Sequence, residues 1–269
     1  MIKTKYLNEL EISDTCQVGS KGKDVRKIQE WLNIQAYLNP QATLATGIDG
    51  SYGPGTKASI ESFQRLKGLS VTGAVNSSVF AALCEPMQNA YDFREAPPHT
   101  LRQVICAIAT AHQQVSPIEL TIKGVSNLGP WVRAYCNGNE GNEWFWCMGF
   151  VQTIFDQAFE NLENGEVFTS LMPSTFSCDV VAVYGKANGK LITNSQVKSD
   201  PSLVQPGDIF LLKKSENDWH HTGIIIGVTD DLFETIEGNT NVDGSNNGFG
   251  VFRRTRNFRK STLDVFSVT

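Results

Sequence analysis

The sequence predicts two domains: a small helical bundle, then an α+β domain built on an antiparallel sheet. Three observations lead there. The chain has 269 residues, long for one compact domain and comfortable for two. Hydrophobic residues make up 41% and the net charge is only −5, so there is enough apolar material for cores and too little charge for a disordered chain. Near 85–100 the text EPMQNAYDFREAPPHT carries three prolines, scattered charges and no sustained period, which reads as a linker. The expected division is therefore a first domain over 1–90, a linker over 91–100 and a second domain over 101–269. Helical spacing dominates before the linker; strand alternation and hairpin signals dominate after it.

In the first domain, Val25, Ile28 and Leu32 recur at helical spacing within 24–38. A second helix is expected over 56–67, with Ile60 and Phe63 on one face, and a third over 77–83 after Asn76. The text GIDGSYGPGT at 47–56 is echoed by SVTGAVNSSV at 70–79. Asp49-Gly50 falls on Thr72-Gly73 and Tyr52 on Val75, so each copy is a tight glycine turn feeding a helix. Two copies are too few for a solenoid, and the expectation is a small pseudo-symmetric bundle of three helices.

These residues carry a resemblance. Gly22, Val25, Ile28-Gln29 and Leu32, then Asp49-Gly50, Tyr52-Gly53 and Thr56, then Phe63-Gln64, Leu69, Gly73 and Val75 resemble the peptidoglycan-binding domain of the three-helix type over about 15–84. The resemblance implies peptidoglycan as partner, with Tyr52 as a contact residue.

The second domain opens with an apolar helix over 101–115, closed by Ser116-Pro117. A stretch rich in glycine and asparagine follows. Cys147 then stands immediately before Phe150, Val151, Ile154, Phe155 and Ala158, again at helical spacing. A thiol at a helix N-terminus meets unpaired N–H groups that favour the thiolate and can also receive a developing oxyanion. Farther on, 209–212, 220–228 and 232–237 read as an antiparallel meander. Alternation puts His221 and Gly223 on one face of their strand and His220 on the other. On the next strand Glu237 shares a face with Phe233 and Thr235, and Asn239 continues it. One histidine and one acid or amide can thus converge on Cys147, the requirement of nucleophilic cysteine catalysis.

Helix–cysteine, strand–histidine and strand–acid in this order resemble the papain-like hydrolases. More closely, WC-x-x-FV at 146–151, PGD at 206–208, H-x-G at 221–223 and EGNTN at 237–241 resemble the cysteine- and histidine-dependent amidohydrolase/peptidase (CHAP) family. The resemblance implies a papain-like α+β hydrolase with Cys147 as nucleophile and His221 as base and acid. Glu237, or Asn239 as second candidate, would orient His221. The sequence departs from the family at Met148, where a small residue is frequent, and that bears on the groove. The implied activity is cleavage of a peptidoglycan amide bond without metal or other cofactor, by an N-acetylmuramoyl-L-alanine amidase or an endopeptidase of the stem or cross-bridge.

The aromatic residues Trp131, Trp144 and Trp146 flank the cysteine and are candidates for lining a substrate groove. The run FRRTRNFRK at 252–260 is either a solvated strand face or a surface for anionic wall polymers. Six cysteines without a CxxC spacing suggest neither a disulfide scaffold nor a structural zinc site. No HxH or HExxH occurs, which argues against a zinc peptidase. The net charge of −5 argues against nonspecific nucleic-acid binding. No apolar run approaches the roughly 20 residues of a membrane span, and the first residues contain no apolar core of a secretion leader. The reading is a monomeric wall hydrolase made in the cytoplasm and acting at the wall, as a phage endolysin or as an antibacterial effector with an immunity protein. Its rival is a wall-binding protein with a degenerate hydrolase domain.

Overall fold

The computed structural model describes residues 3–97, 99–243 and 245–268. The N-terminal part contains α1 (Lys23–Leu38), α2 (Pro54–Leu66) and α3 (Ser77–Asp92). Their inward faces carry Val25, Ile28, Leu32, Ile60, Phe63 and Leu83, all essentially inaccessible to water. The sequence echo has a physical counterpart. Gln29 of α1 accepts from the backbone N–H groups of Asp49 and Gly50, while its amide donates to Asp49 and to the Ser51 carbonyl. Gln64 of α2 does the same one turn later, accepting from Thr72 and Gly73 N–H and donating to the Ala74 carbonyl. Gly50 and Gly73 both take positive φ, at 72° and 66°, where a side chain would be strained.

The third helix differs from expectation. It runs through Pro86 to Asp92, nine residues past the expected end at 83, so the connection to the next helix shrinks to 93–100. Pro98, one of the three prolines of the expected linker, lies outside the described residues. Burial explains the extension. Met87, Ala90 and Tyr91 are buried, and packing outweighs the one hydrogen bond the proline forfeits. The helix end is also satisfied from a distance, because the Gln157 amide donates to the carbonyls of Ala90, Tyr91 and Phe93.

The C-terminal part begins with α4 (Leu101–Gln114), entered through a capping box of Thr100 and Gln103. A small hairpin follows, β1 (Leu120–Ile122) and β2 (Val125–Leu128), then α5 (Pro130–Tyr135) and α6 (Cys147–Asn161). Almost every residue of α6 is buried, including the polar Gln152 and Gln157, whose side chains are satisfied by hydrogen bonds to neighbouring backbone. Next come α7 (Cys178–Ala187), β3 (Leu191–Ile192), α8 (Asn194–Ser199), β4 (Ile209–Ser215), β5 (Asp218–Thr229), β6 (Leu232–Thr240), β7 (Gly250–Asn257) and β8 (Leu263–Phe266). The six strands β3 to β8 form one antiparallel sheet in the order β3-β8-β4-β5-β6-β7. The meander is therefore wider than the three strands read from sequence. Ile209, Leu211, Ile224 and Ile236 join the main core with α4 and α6; Phe210, Leu212, Ile225 and Phe233 form a second cluster with Phe258 and Val265.

The main core runs without a break from the N-terminal helices into the C-terminal part. Trp31 of α1 meets Trp131 of α5 edge to face at 6.3 Å. Beside them Arg133 of α5 binds Glu9 through Nε and Nη2 at 2.9 and 2.6 Å, Glu30 of α1 at 2.7 Å and Glu140 at 2.7 Å. Three carboxylates share one nearly buried guanidinium across the seam.

Candidate active site

Cys147 is the first residue of α6. Trp146 precedes it without a side-chain cap, so the N–H groups of the first turn are left for the thiol and for whatever binds beside it. His221 stands on β5 and Glu237 on β6, both fully buried. Nε2 of His221 lies 2.8 Å from Oε2 of Glu237. An ionised carboxylate only accepts, so this nitrogen carries the hydrogen and Nδ1 is the basic one. Among the described residues Nδ1 has no hydrogen-bond partner, and the charged imidazole is favoured by Cys147.

Glu237 is held from every side. Arg256 of β7 donates from Nε to Oε1 and from Nη2 to Oε2, each at 2.6 Å, and Thr235 donates to Oε1 at 2.5 Å. The guanidinium itself lies over the Phe210 ring at 4.8 Å. Gly223 makes room for the arrangement. A Cβ there would come within 2.7 Å of the Glu237 Cγ and 2.9 Å of the Ile236 carbonyl. The glycine of H-x-G is thus the space across which Glu237 reaches the histidine.

The electrostatics follow from these contacts. Burial works to raise the Glu237 pKa, but the hydrogen bonds from Arg256 and His221 prevail and bring it to about 2. Burial works to lower that of His221, and the contacts with Cys147 and Glu237 outweigh it, raising it to about 8. The Cys147 thiol is held well below its ordinary range by the S–H of Cys178, against burial, with help from His221 and from the Met148 N–H. Cys178, with a thiolate neighbour and no base, is pushed well up. Both shifts favour a thiolate at Cys147 beside an imidazolium at His221, the form that cysteine nucleophiles use.

Cys147 opens onto a cavity of about 580 Å³. Its lining includes Phe145, Phe176, Cys178, Trp219 and His220. His220, the rival histidine, is at the rim, where its Nε2 meets the Asn246 amide at 3.0 Å; it does not contact Glu237. The register shift opposite Leu212 and Lys213 lets neighbouring residues of β5 reach the same opening.

Several residues expected at the site are elsewhere. Asn239 is buried with positive φ (56°), and its amide bonds no described residue, whereas Glu237 hydrogen-bonds His221. Trp131 and Trp146 are wholly buried, one on each side of Tyr135 at 5.8 and 5.6 Å, and offer no face to a ligand. Trp146 also donates to Glu119 at 2.8 Å. Tyr52 is buried too, its hydroxyl donating to the Gly73 carbonyl. Trp144 is half-buried with its ring against Phe176, a residue that lines the cavity, and does not line it itself. Met148 points into the core and does not shape the opening.

The basic run is largely neutralised in place. Arg253 pairs with Glu234, Arg256 with Glu237 and Arg259 with Asp231. Arg256 was legible only as one member of that run; strand alternation marks it, because it shares a strand face with Arg254 rather than with Arg253. Cys178 gave no sequence signal beyond a position following a capping serine. His112 is buried between Tyr135 and Gln157 at 2.9 and 3.0 Å, and burial lowers its pKa to about 4, so it is a neutral core residue.

Comparison with known proteins bears on the N-terminal part. Residues 21–83 match the family model of the peptidoglycan binding domain, and the chain carries a domain of that kind at its N-terminal end. A zinc D-Ala-D-Ala carboxypeptidase of Streptomyces albus G is 34% identical over 86 residues, covering 29% of this chain and 32% of the relative. The chain thus spans about a third of the length of that curated relative. No helix among the described residues is long and apolar enough to cross a membrane.

Proposed function

We propose that the protein is a peptidoglycan hydrolase that cleaves an amide bond through Cys147, His221 and Glu237. The observation that carries this reading is the hydrogen-bonded chain from Arg256 through Glu237 to His221, with Cys147 acting on the His221 charge and lining a cavity. The peptidoglycan binding domain supplies the substrate class, and the order of the site residues along the chain resembles the CHAP family and its papain-like fold.

In the reaction the Cys147 thiolate attacks the amide carbonyl, and the oxyanion is received by the N–H groups of the first turn of α6. His221 gives its Nδ1 proton to the departing amine, leaving a thioester on Cys147. His221 then takes a proton from water, which hydrolyses the thioester and restores the thiolate beside a protonated His221. Glu237 keeps the ring in one orientation and one tautomer throughout, and Arg256 keeps Glu237 ionised and in place. The bond is that between N-acetylmuramic acid and L-alanine, or one within the stem or cross-bridge. The protein acts at the cell wall as an endolysin or as an antibacterial effector with a cognate immunity protein, and works as a monomer.

The zinc in the name of the Streptomyces relative has no donor set to occupy here: among the described residues no three His, Cys, Asp or Glu side chains are grouped to hold a metal ion. No step is therefore routed through a metal. Muropeptide mass spectrometry tests the proposal. Digestion of purified sacculi should release fragments with one defined amide bond cut, and Cys147→Ala should release none while still pelleting with the wall. Equal release by that variant would overturn the mechanism, and a wall-binding protein that releases nothing would establish the degenerate-domain reading instead.

A further inference from the structure

The two sulfurs at the cavity have a chemistry of their own. Cys147 and Cys178 are the first residues of α6 and α7, and both line the same open cavity. The two thiols act on one another's charge: Cys178 favours the Cys147 thiolate, and that thiolate disfavours ionisation of Cys178. Both helix starts are fixed. Gln152 of α6 donates to the Pro173 carbonyl and accepts from Thr175 N–H, pinning the strand of chain that leads into α7. Asp179, next to Cys178, accepts from the Trp219 N–H of β5 at 2.7 Å.

The remaining cysteines are placed differently. Cys84 donates to the Phe80 carbonyl at 3.1 Å, and Cys136 is sealed beneath Gly149 of α6. Cys16 pairs through its backbone with Val75 in the N-terminal part, and Cys106 faces the Ile225 carbonyl. None of the four lines the cavity of Cys147.

We propose that Cys147 and Cys178 form a reversible disulfide, so that the site carries its own protection against peroxide. The Cys147 thiolate attacks one oxygen of hydrogen peroxide: an S–O bond forms, the O–O bond breaks, and the departing hydroxide takes a proton to become water. Cys178 sulfur then attacks the Cys147 sulfenic acid: an S–S bond forms, the S–O bond breaks, and the leaving hydroxide takes the Cys178 proton. Two thiols and one peroxide become one disulfide and two waters. A reducing dithiol reverses the step by two exchanges and regenerates both thiols. While the disulfide stands, the nucleophile is blocked; without Cys178, the sulfenic acid is left exposed to further, irreversible oxidation.

The inference goes beyond the proposed hydrolysis and needs no substrate to test. The full chain is treated with hydrogen peroxide, digested without reductant and mapped by mass spectrometry. The expected product joins the peptide of Cys147 to that of Cys178. After dithiothreitol, iodoacetamide should label Cys147 in the wild type. In Cys178→Ser the labelled fraction should be lower by about tenfold or more, with sulfinic acid found at Cys147 instead. Oxidised Cys147 without the cross-linked peptide would overturn the proposal, as would full recovery of labelling in Cys178→Ser. If that variant does not fold, as judged by circular dichroism, the wild-type cross-link decides alone. A chain that forms the disulfide but releases no muropeptide would refute the hydrolase reading and leave this one intact.

Discussion

Arg256 takes both oxygens of Glu237 in a two-pronged grip, each bond 2.6 Å long. Removing one member of a buried ion pair leaves the other charge uncompensated, which costs about 3–5 kcal/mol. Arg256→Met should therefore lower stability by that order in urea denaturation. Glu237→Gln/Arg256→Met should be less destabilised than the sum of the two single variants, because neither charge is stranded. Strict additivity in this cycle would show that the grip has no energetic role.

Activity should depend on pH in a way set by His221 and Cys147. With the imidazole pKa at about 8 and the thiol well below its ordinary range, the thiolate–imidazolium pair persists through neutral pH. Hydrolysis should fall as pH rises through about 8, when His221 loses the proton meant for the leaving amine. Stability follows the same signs. The raised His221 pKa stabilises the fold below the ordinary imidazole value and is lost as pH rises through about 8. The depressed Glu237 pKa stabilises it above the ordinary carboxylate value and is lost as pH falls towards about 2. Initial rates and melting temperatures across pH check both; a rate still climbing beyond the expected limb would refute the protonated-histidine step.

Gly223→Ala should cost activity far more than stability. The new methyl meets the Glu237 Cγ at 2.7 Å and the Phe210 ring at 2.8 Å, so the carboxylate must shift off His221. We expect a rate loss of about 10²-fold, the scale of a misplaced acid–base group, with the wall-pelleting behaviour unchanged. A near-wild-type rate would mean that the Glu237–His221 contact does not matter.

Arg133→Met should unsettle the seam. It takes from Glu9 its ion-pair partner and leaves Glu30 and Glu140 to the half-exposed Arg26, and a loss of about 3–5 kcal/mol is expected from the buried charge left behind. Limited proteolysis should then cut within 93–100, which in the native protein is held to α6 by Asn161 bonds to Glu95. Unchanged protection of that segment would show that the core contacts alone suffice.

The sequence made some features plain and left others dark for physical reasons. Cys147 at a helix start and His221 on a strand were readable because period and spacing are local properties. Strand register alone leaves His220 and His221 as competitors; the resemblance of H-x-G at 221–223 favours His221, and its contact with Glu237 agrees with that. Asn239 shows where parity fails: positive φ turns the chain before the side chain can follow the face. The buried tryptophans were misplaced because an aromatic ring suits a core and a groove equally, and only the neighbouring Tyr135 decides between them. The extension of α3 through Pro86 depends on Gln157, some 70 residues away in the chain by rough count, and no local signal announces such a partner.

The unbroken core across Trp31 and Trp131 turns the two ends of the chain into a caliper rather than a leash. A module on a slack tether would let the cutting site wander over any strand within reach. Here the continuous core fixes the two parts against each other, so under the proposed function a bound wall strand would be cut at a set offset from where it is held. Fragment lengths then become a ruler of the molecule, narrow in the native protein and broadened once the seam is loosened.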